Sequence, residues 1–493
     1  MTVLTSLARA LAIEAGRAQP IRTVCHTHLS DRPLVLVPLQ LAGEACAPLA
    51  AVVGDDRDKP RTLVLHEPRN RTQRFDFAAD LADVMLGYID SYTTAEPAPE
   101  TPYPDAPQLL VPNGGGVTFI RLLGRSTRFR QATGEYAVKS SVPPLGRWLS
   151  FYSERSEAPA SALLLSMTAA LADHWATGQS AAEDANLAAL LGWIDPPEGM
   201  TGAEAARAAE DPVRCPPAGP ATDPSFDNEV LAARIAAVRA ARASGDGAAL
   251  HRAQLAMEAA LQTQLEPTWD LMWRAVDTLR ALPAGAHVAG RWQADRWAFT
   301  GHATRLRDGG PPQPRRDSAV AAASKLARLE REQQRLAAQR AYDDPLVMAE
   351  HRLTGEAFAG VVVEAEWNRL DTSGKRPKLR PWITVETSDE VIAEPGTQLM
   401  SPDRSSQEAR VIAVTPVDQL TRVVLELSGG MGRSLTPAPG SVPAVGEMLI
   451  YTTLKDEFQK PPGFPSLEDT PWTHGGPPPV YVPADEDATE DWS

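Results

Sequence analysis

The first hundred positions alternate short apolar runs with clusters of turn-forming residues. Three runs rich in Val, Leu and Ala are bounded by glycine, proline and aspartate, which is the pattern of strands in a small β-sheet. These runs span residues 34–41, 50–53 and 62–65. Apolar residues then recur between Phe75 and Tyr88 at a spacing that predicts a helix. We therefore expect an α/β domain over residues 1–107, which ends in a proline-rich loop.

Helical periodicity dominates the next two hundred residues. The predicted helices span 117–123, 145–155, 160–175, 183–193, 223–243, 248–282 and 288–306. A stretch rich in Pro, Ala and Glu interrupts them, so we expect a helical domain (108–195), an exposed linker (196–224) and a helical bundle (225–310). Pro267 lies inside one of these helices, where its missing N–H and its ring predict a kink or a break.

The pattern changes again after residue 314. A charged helix with a narrow apolar stripe, followed by a second helix, predicts a helical stalk over residues 315–358. Five short apolar segments then alternate with turns, at 359–367, 379–387, 409–415, 421–428 and 447–454. Five strands at this spacing predict a small antiparallel β-barrel over residues 359–458. Residues 459–493 are rich in proline and then in acid, which predicts a disordered tail.

These patterns together predict an α+β multidomain protein. An N-terminal α/β segment comes first, a helical middle follows, and a helical stalk leads to the small antiparallel β-barrel near the C-terminus. A hydrophobic content of 43% is enough for each part to bury a core.

The net charge of −15 is unevenly distributed. Residues 151–230 contain thirteen acidic and three basic residues, and residues 456–493 contain nine acidic and one basic. An acidic chain is repelled by phosphate, so general coating of nucleic acid is not expected. A local basic groove remains compatible with this balance.

Cysteine content and the N-terminal sequence bear on the compartment. Three cysteines, Cys25, Cys46 and Cys215, are too few for a disulfide framework and suit a reducing cytoplasm. Arg9 and Glu14 interrupt the stretch where the apolar part of a signal peptide would lie, so we expect none. No apolar run reaches the ~18 residues of a membrane span, and we expect a cytoplasmic protein without a membrane partner.

Two fragments of a phosphate-binding loop are present, and both are incomplete. Residues 372–375 end in Gly-Lys, but Arg369 stands where the first glycine belongs and Arg376 where Ser or Thr belongs. Residues 429–434 lead into prolines rather than into a helix, so they lack the helix N-terminus that binds an anion. The sequence also lacks Gly-x-Ser-x-Gly. We expect no ATPase activity and no cofactor, and we favour a role without catalysis.

One histidine pair has the spacing of metal ligands. On a strand, His26 and His28 would face the same side, where two imidazoles could bind zinc or iron. A third ligand would have to come from His66 or Cys46, which have no diagnostic spacing. Ordinary core or surface histidines are the competing interpretation.

A carboxylate cluster offers a second metal hypothesis. Acidic residues and a lysine lie near the ends of the predicted strands, as in a metal-dependent nuclease. They are Asp55, Asp56, Asp58, Lys59 and Glu67. The same residues also suit a hydrophilic hairpin turn, which we favour.

Two groups of basic residues are candidates for nucleic-acid contact. The first group surrounds one short predicted helix and consists of Arg121, Arg125, Arg128 and Arg130. The second group lies in the loop before the second barrel strand, with Trp367 and Trp382 nearby. It consists of Lys375, Arg376, Lys378 and Arg380. Cations beside aromatic rings can follow a phosphate backbone and stack bases, although core tryptophans beside a solvated loop would give the same sequence.

Residues 318–455 resemble a domain insertion of a known family. A charged helix containing Leu-Ala-Arg-Leu-Glu-Arg-Glu (326–332) leads through Gly-Glu-Ala-Phe-Ala-Gly-Val-Val (355–362) into a barrel containing Glu-Pro-Gly-Thr-Gln-Leu (394–399). This order is similar to the stalk-and-barrel insertion of Upf-like superfamily 1 helicases. The resemblance implies a barrel that contacts nucleic acid and regulates unwinding. The ATPase motifs that surround the insertion in that family are missing here.

Composition adds a broader resemblance. The chain contains 41 arginines and 7 lysines, a bias typical of a GC-rich bacterial genome. In this respect the whole chain resembles proteins from actinobacteria, and the bias by itself indicates no function.

The leading hypothesis is a non-enzymatic accessory protein. Its small β-barrel would contact single-stranded nucleic acid or a helicase-type ATPase supplied by another chain. Two alternatives remain open. One is a metal-dependent hydrolase or nuclease that uses the N-terminal α/β segment, and the other is a protein-interaction scaffold.

Overall fold

The computed structural model describes residues 2–44, 47–94, 97–98, 100–314 and 317–456, with residues 463, 465–466 and 468–469. Within them the chain forms two compact units, one from residues 5–329 and one from residues 330–456 with residues 2–4. Apart from the few positions just given, the predicted tail (459–493) lies outside the described residues. Cys46 also lies outside them.

Helices and strands are interspersed through the first three hundred residues. In chain order they are α1 (Val3–Ala15), β1 (Gln19–Pro20), β2 (Leu34–Gln40), β3 (Pro48–Gly54), β4 (Arg61–Val64), α2 (Arg71–Asp90), β5 (Leu109–Val111), α3 (Gly114–Thr127), α4 (Val142–Ser156), β6 (Leu164–Ser166), α5 (Met167–Ala172), β7 (Trp175–Ala176), α6 (Leu187–Ile194), α7 (Gly202–Glu210), α8 (Ala232–Ser244), α9 (Gly247–Arg280) and α10 (Val288–Arg307). A 3-10 turn (Glu183–Ala185) precedes α6, and a π-helical turn (Phe226–Leu231) precedes α8.

A five-stranded sheet forms the centre of the first unit, in the order β4–β3–β2–β5–β6. The pairs β2–β5 and β5–β6 are parallel, and β2, β3 and β4 pair antiparallel. Leu34 and Leu36 of β2 pack into the core formed with α2, α3 and α4. Val35 and Val37 pack into the opposite core with α5, α6 and α9. Burial on both faces explains why β2 is apolar almost throughout.

The sheet extends beyond the predicted α/β boundary at residue 107. Strands β5 and β6 continue it, so residues 108–166 belong to the same layered arrangement and not to a separate helical domain. Residues 160–175, predicted as one helix, contain β6, the six-residue α5 and the start of β7. Three-residue strands are too short to show a period, which is why the sequence pattern missed them.

One further prediction for the helical middle was wrong, and of the kink or break predicted at Pro267 the break is not found. The expected exposed linker (196–224) contains α7, whose N-terminus has a capping box formed by Thr201 and Glu204. Helix α9 continues through Pro267 without a break. It buries Leu265, Trp269 and other large side chains, and burial of such side chains at about 1.5–3 kcal/mol each outweighs the ~3 kcal/mol that an internal proline costs.

The later elements confirm the predicted helices and barrel. They are α11 (Ala319–Asp343), α12 (Pro345–Leu353), β8 (Ala357–Glu366), β9 (Leu370–Asp371), β10 (Lys378–Leu379), β11 (Trp382–Thr387), β12 (Gln398–Met400), β13 (Glu408–Val417), β14 (Leu420–Ser428) and β15 (Met448–Thr452). The antiparallel barrel closes in the order β11–β14–β13–β12–β15–β8. Strand β12, absent from the five-strand prediction, is the sixth.

Alternation along the barrel strands fills its interior. Ile383 and Val385 of β11 point into a core that also contains Val423, Leu425 and Leu449. Register shifts at Thr384/Val385 and at Val411/Ala413 add the local twist that helps a small barrel to close. No helix in the described part of the chain is both long enough and apolar enough to cross a bilayer.

Candidate anion-binding sites

The histidine pair His26 and His28 does not lie on a regular strand. Around it, only an isolated bridge from Cys25 to Ala284 is formed. The His26 ring stacks on His174, and the His28 ring stacks on Trp292 at 3.9 Å between centroids. His66, one proposed third ligand, instead contacts Glu258 at 2.9 Å.

Three of the four carboxylates of the nuclease hypothesis lie in one turn, whereas Glu67 follows β4 and pairs with Arg242. Residues 55–60 connect β3 to β4, and the turn is held by Asp56, which accepts from the Asp58 N–H and pairs with Lys59. Asp55 pairs with Arg32 at 2.9 Å. Across the described ranges, no group of three or more His, Cys, Asp or Glu side chains is placed to hold a metal ion. The favoured interpretation as a hairpin turn agrees with this geometry.

The basic loop of the barrel is a small hairpin, which we call the basic hairpin (370–379). Strands β9 and β10 pair antiparallel, with Asp371 opposite Lys378. Lys375, Arg376 and Lys378 are exposed. None of these three has an ion-pair partner among the described residues. The charge is also concentrated along the sequence, since four of the ten basic residues between positions 357 and 456 lie within positions 375–380.

Arg380 and Trp382 belong to the base of this hairpin. The Arg380 N–H donates to the Arg369 carbonyl (2.9 Å), and Arg369 Nη1 donates back to the Arg380 carbonyl (3.0 Å). Arg369 also pairs with Glu426 at 2.8 Å, and its guanidinium carbon lies 4.0 Å from the centre of the Trp382 ring. Trp382 Nε1 donates to Glu426. Trp382 is thus neither a core residue nor an open stacking platform.

Trp367 occupies the exposed aromatic position instead. It follows directly after β8, two residues before Arg369, and half of it is exposed (50%). The sequence placed both tryptophans near the loop. Only the structure distinguishes the two tryptophans. Arg369 covers the ring of Trp382, and Trp367 remains half exposed.

The second basic group lies on one face of α3. Arg121, Arg125 and Arg128 are spaced at i, i+4 and i+7, which places them on the same side of a helix. Arg121 and Arg125 are exposed and have no hydrogen-bond or ion-pair partner in the described parts of the chain. Arg128 is buried and donates to the Gln313 carbonyl (3.0 Å), to Ser150 Oγ (3.3 Å) and to the Pro314 carbonyl (3.4 Å). Arg130 bends back to the Ser126 carbonyl.

Two glycines let α3 and α4 approach closely enough to form this arrangement. A Cβ at Gly124 would lie 2.8 Å from the Ser150 nitrogen, and a Cβ at Gly146 would lie 2.3 Å from the Arg128 nitrogen. Any side chain at these positions would push the helices apart. The close crossing places Arg128 in hydrogen-bond contact with Ser150. It also places the α3 arginines on the same side as the polar residues of α4, which include Ser153 and Glu154.

These elements enclose a cavity of about 540 Å³, which we call the arginine cleft. Its walls come from α3 (Arg121, Arg125, Arg128), α4 (Ser150, Phe151, Ser153, Glu154, Arg155, Glu157), α10 (Ala298, Arg305), the following segment (Gln313, Pro314, Asp317) and the first turns of α11 (Lys325, Arg328). Of these described lining residues, seven are basic and three are acidic. All of them belong to the first unit.

The residues that complete the cleft could not be found from local sequence. Arg155 is fixed by Asp295 at 2.9 Å, and Lys325 by Glu157 at 2.7 Å. The segment after α10 folds over α4, where Gln313 donates to the Arg147 carbonyl (3.0 Å) and Arg147 donates to the Gly310 carbonyl. The walls of the cleft therefore include residues about two hundred positions apart in the chain, and no sequence motif indicates that they are neighbours.

Two titratable groups reflect the surroundings of the cleft. Burial, together with the positive charges of Arg147 and Arg305, lowers the pKa of His302 to about 4. Glu154 has a raised pKa, mainly because surrounding protein removes water from its carboxyl group, although Lys325 and Arg128 oppose this shift. For both groups, loss of water around the side chain is the main cause of the pKa shift.

Comparison of the chain with protein-family models, with curated proteins and with solved structures gave no match.

Proposed function

We propose that the protein binds single-stranded nucleic acid through the basic hairpin of its barrel, as an accessory protein without catalytic activity of its own. The observation that carries this proposal is the concentration of exposed, unneutralised charge at Lys375, Arg376 and Lys378 on a barrel that is otherwise not basic. Ten cations and thirteen acidic residues lie between residues 357 and 456. Three neighbouring cations without ion-pair partners repel one another, and a phosphate backbone would neutralise them.

The aromatic residue beside the hairpin supports the same function. Single-strand binding combines cations that follow the backbone with rings that stack bases. Trp367 supplies an exposed ring beside the hairpin base, while Trp382 stabilises that base under Arg369. We therefore assign stacking to Trp367 and a supporting role to Trp382 and Arg380.

The salt dependence of binding tests the role of the hairpin. The full chain would be titrated into a fluorescent oligodeoxythymidylate over a range of NaCl concentrations, with anisotropy as the signal. Each phosphate contact contributes about 0.7 to the slope of log K against log salt on a single strand. Replacing Lys375, Arg376 and Lys378 by Ala should weaken binding at low salt and reduce the slope by up to about 2.

A matched variant separates a local site from a general charge effect. Arg239, Arg410 and Arg433 are exposed arginines outside the hairpin, and replacing all three by Ala removes the same total charge. This control should keep most of the wild-type slope. Trp367→Ala should weaken binding by about 1–3 kcal/mol with an unchanged slope, because stacking releases no counterions.

Two results would contradict the proposal. Equal slopes for the hairpin and control variants would mean that no specific site exists there. Absence of binding by the wild-type chain at low salt would exclude nucleic acid as the ligand. A protein partner, such as the helicase-type ATPase implied by the stalk-and-barrel resemblance, would then be the better explanation of the hairpin.

A further inference from the structure

We propose that the arginine cleft of the first unit is a separate binding site for a compact polyphosphate, either inorganic or at the phosphate end of a nucleotide. This inference does not depend on the function assigned to the basic hairpin, because the cleft has its own residues and its own unit. Its size fits a small molecule, since pockets for such ligands have volumes of about 300–1,000 Å³ and the cleft has about 540 Å³.

The α3 arginines point to an anionic ligand because the folded chain leaves them unneutralised. Like charges at i and i+4 on a helix repel each other, and Arg121 and Arg125 face the same cleft. The helix dipole favours cations in the last turn of α3, which accounts for Arg125 and Arg128 but not for Arg121 in its middle. In a chain with a net charge of −15, a pair of free arginines facing a cavity is best explained by a ligand that neutralises it.

Fixed cations in the walls add to this field. Arg128 is held by two carbonyls and a hydroxyl, so its orientation is set before any ligand arrives. Arg155 is anchored through Nη2 on Asp295, while its buried Nε has no hydrogen-bond acceptor among the described atoms. Guanidinium groups so placed suit phosphate oxygens, which accept paired N–H donors.

The acidic residues in the walls favour a compact ligand over a long nucleic-acid strand. Glu157 neutralises Lys325, and Glu154 and Asp317 add further negative charge to the lining. A strand passing through the cleft would bring phosphates against these carboxylates. A ligand with two or three linked phosphates can instead keep all its charge at the arginine face.

Calorimetric titration of the full chain tests the site. The probes are tripolyphosphate, ATP, adenosine and the oligodeoxythymidylate, in a buffer with EDTA and low salt. We expect tripolyphosphate and ATP to bind at one site per chain and adenosine not to bind. Replacing Arg121 and Arg125 together by Ala should weaken both phosphate ligands by at least about tenfold, because each lost contact is a hydrogen bond to a charged group. Tighter binding of ATP than of tripolyphosphate would identify a nucleotide as the source of the phosphates, and equal binding an inorganic polyphosphate.

Two controls make the result specific. Arg234 and Arg239 are exposed arginines of α8 with no described partner, so their double Ala variant removes the same charge and should bind both ligands as the wild type does. The Lys375, Arg376 and Lys378 variant should also retain polyphosphate binding, which keeps the test independent of the hairpin. Circular dichroism and melting curves of the Arg121 and Arg125 variant should match the wild type, since both side chains are exposed.

Two outcomes would overturn this inference. One is no binding of either polyphosphate by the wild-type chain, and the other is equal weakening in the α3 and α8 variants. If the first result came with loss of oligonucleotide binding in the α3 variant, the cleft would be part of a nucleic-acid surface.

Discussion

Asp295 is a buried carboxylate on which three different segments of the first unit depend. Only 1% of its surface is exposed, and it accepts hydrogen bonds from Arg155 (2.9 Å), Ser161 Oγ (2.7 Å) and the Ala162 N–H (2.6 Å). It therefore joins α10 to the end of α4 and to the approach to β6. Through Arg155 it also sets one wall of the arginine cleft.

Removing this carboxylate should strongly destabilise the first unit. Asp295→Ala leaves the Arg155 charge and the Ala162 N–H without their acceptor, and breaking a buried pair in this way costs about 3–5 kcal/mol. The free energy of unfolding in urea measures the change. Asp270→Ala, at an exposed aspartate of α9, is the matched control and should change stability by less than about 0.5 kcal/mol. A similar small change for Asp295→Ala would refute the role of the network.

At the scale of elements, α10 presents a histidine that the fold keeps neutral. His302 stacks on Phe151 at 4.4 Å between centroids and meets Trp148 edge-on at 4.8 Å. Burial among these rings, next to Arg147 and Arg305, lowers its pKa from 6.5 to about 4. The unfolded chain therefore binds a proton at this position more readily than the folded chain does.

The stability of this packing should fall as the solution becomes more acidic. Because the unfolded state takes up the extra proton between pH 6.5 and about 4, the contribution of His302 is complete above pH 6.5 and is lost as the pH falls through that window. The loss reaches about 3 kcal/mol at its lower end. Urea unfolding at several pH values, compared with His302→Gln, measures it.

The slope with pH separates the titration from the loss of packing. His302→Gln should lower stability at neutral pH but flatten the dependence between pH 6.5 and 4. His251→Gln, at an exposed histidine of α9, should keep the wild-type slope. Parallel slopes for all three proteins would show that His302 does not titrate in this window.

At the scale of the whole molecule, the second unit contains everything that an independently folding domain needs. Its barrel strands pair around a closed circuit, so no barrel edge is left open. Its interior has its own buried cluster, which includes Phe358, Ile383, Leu425 and Tyr451. Helix α12 packs on the barrel through Val347 and Met348, which form a second small cluster with Ala357.

Residues 330–456 expressed alone should therefore fold. We expect a cooperative thermal transition, dispersed amide resonances in an NMR spectrum, and the same salt slope for oligonucleotide binding as the full chain. Collapse into aggregates, or a transition without cooperativity, would show that the barrel requires residues 5–329. Retained folding with loss of oligonucleotide binding would instead contradict the assignment of that binding to the basic hairpin.

Local periodicity in the sequence was enough to predict much of the fold. The apolar runs of β2, β3 and β4, the helical spacing of α2 and α4, the narrow apolar stripe of α11 and the alternating barrel strands all follow from which face each element must bury. In a long element the buried face repeats an apolar residue at a regular spacing, so the pattern is visible in the sequence without a structure. Strands β5, β6 and β12 have three residues each, which is too few for a pattern.

The sites depended on the tertiary structure to a greater degree. The sequence identified Arg121, Arg125 and Arg128 as one group by their closeness to a helix predicted over residues 117–123, and the longer α3 places them on one face. It could not bring Arg305 and Lys325 to them, since that meeting depends on the close crossing at Gly124 and Gly146 and on the segment folded over α4. The difference between Trp367 and Trp382 likewise depends on the position of one guanidinium. Sequence therefore determined which residues share a face of one element, and the three-dimensional packing decided which faces meet, because contacts between distant segments leave no local period in the chain.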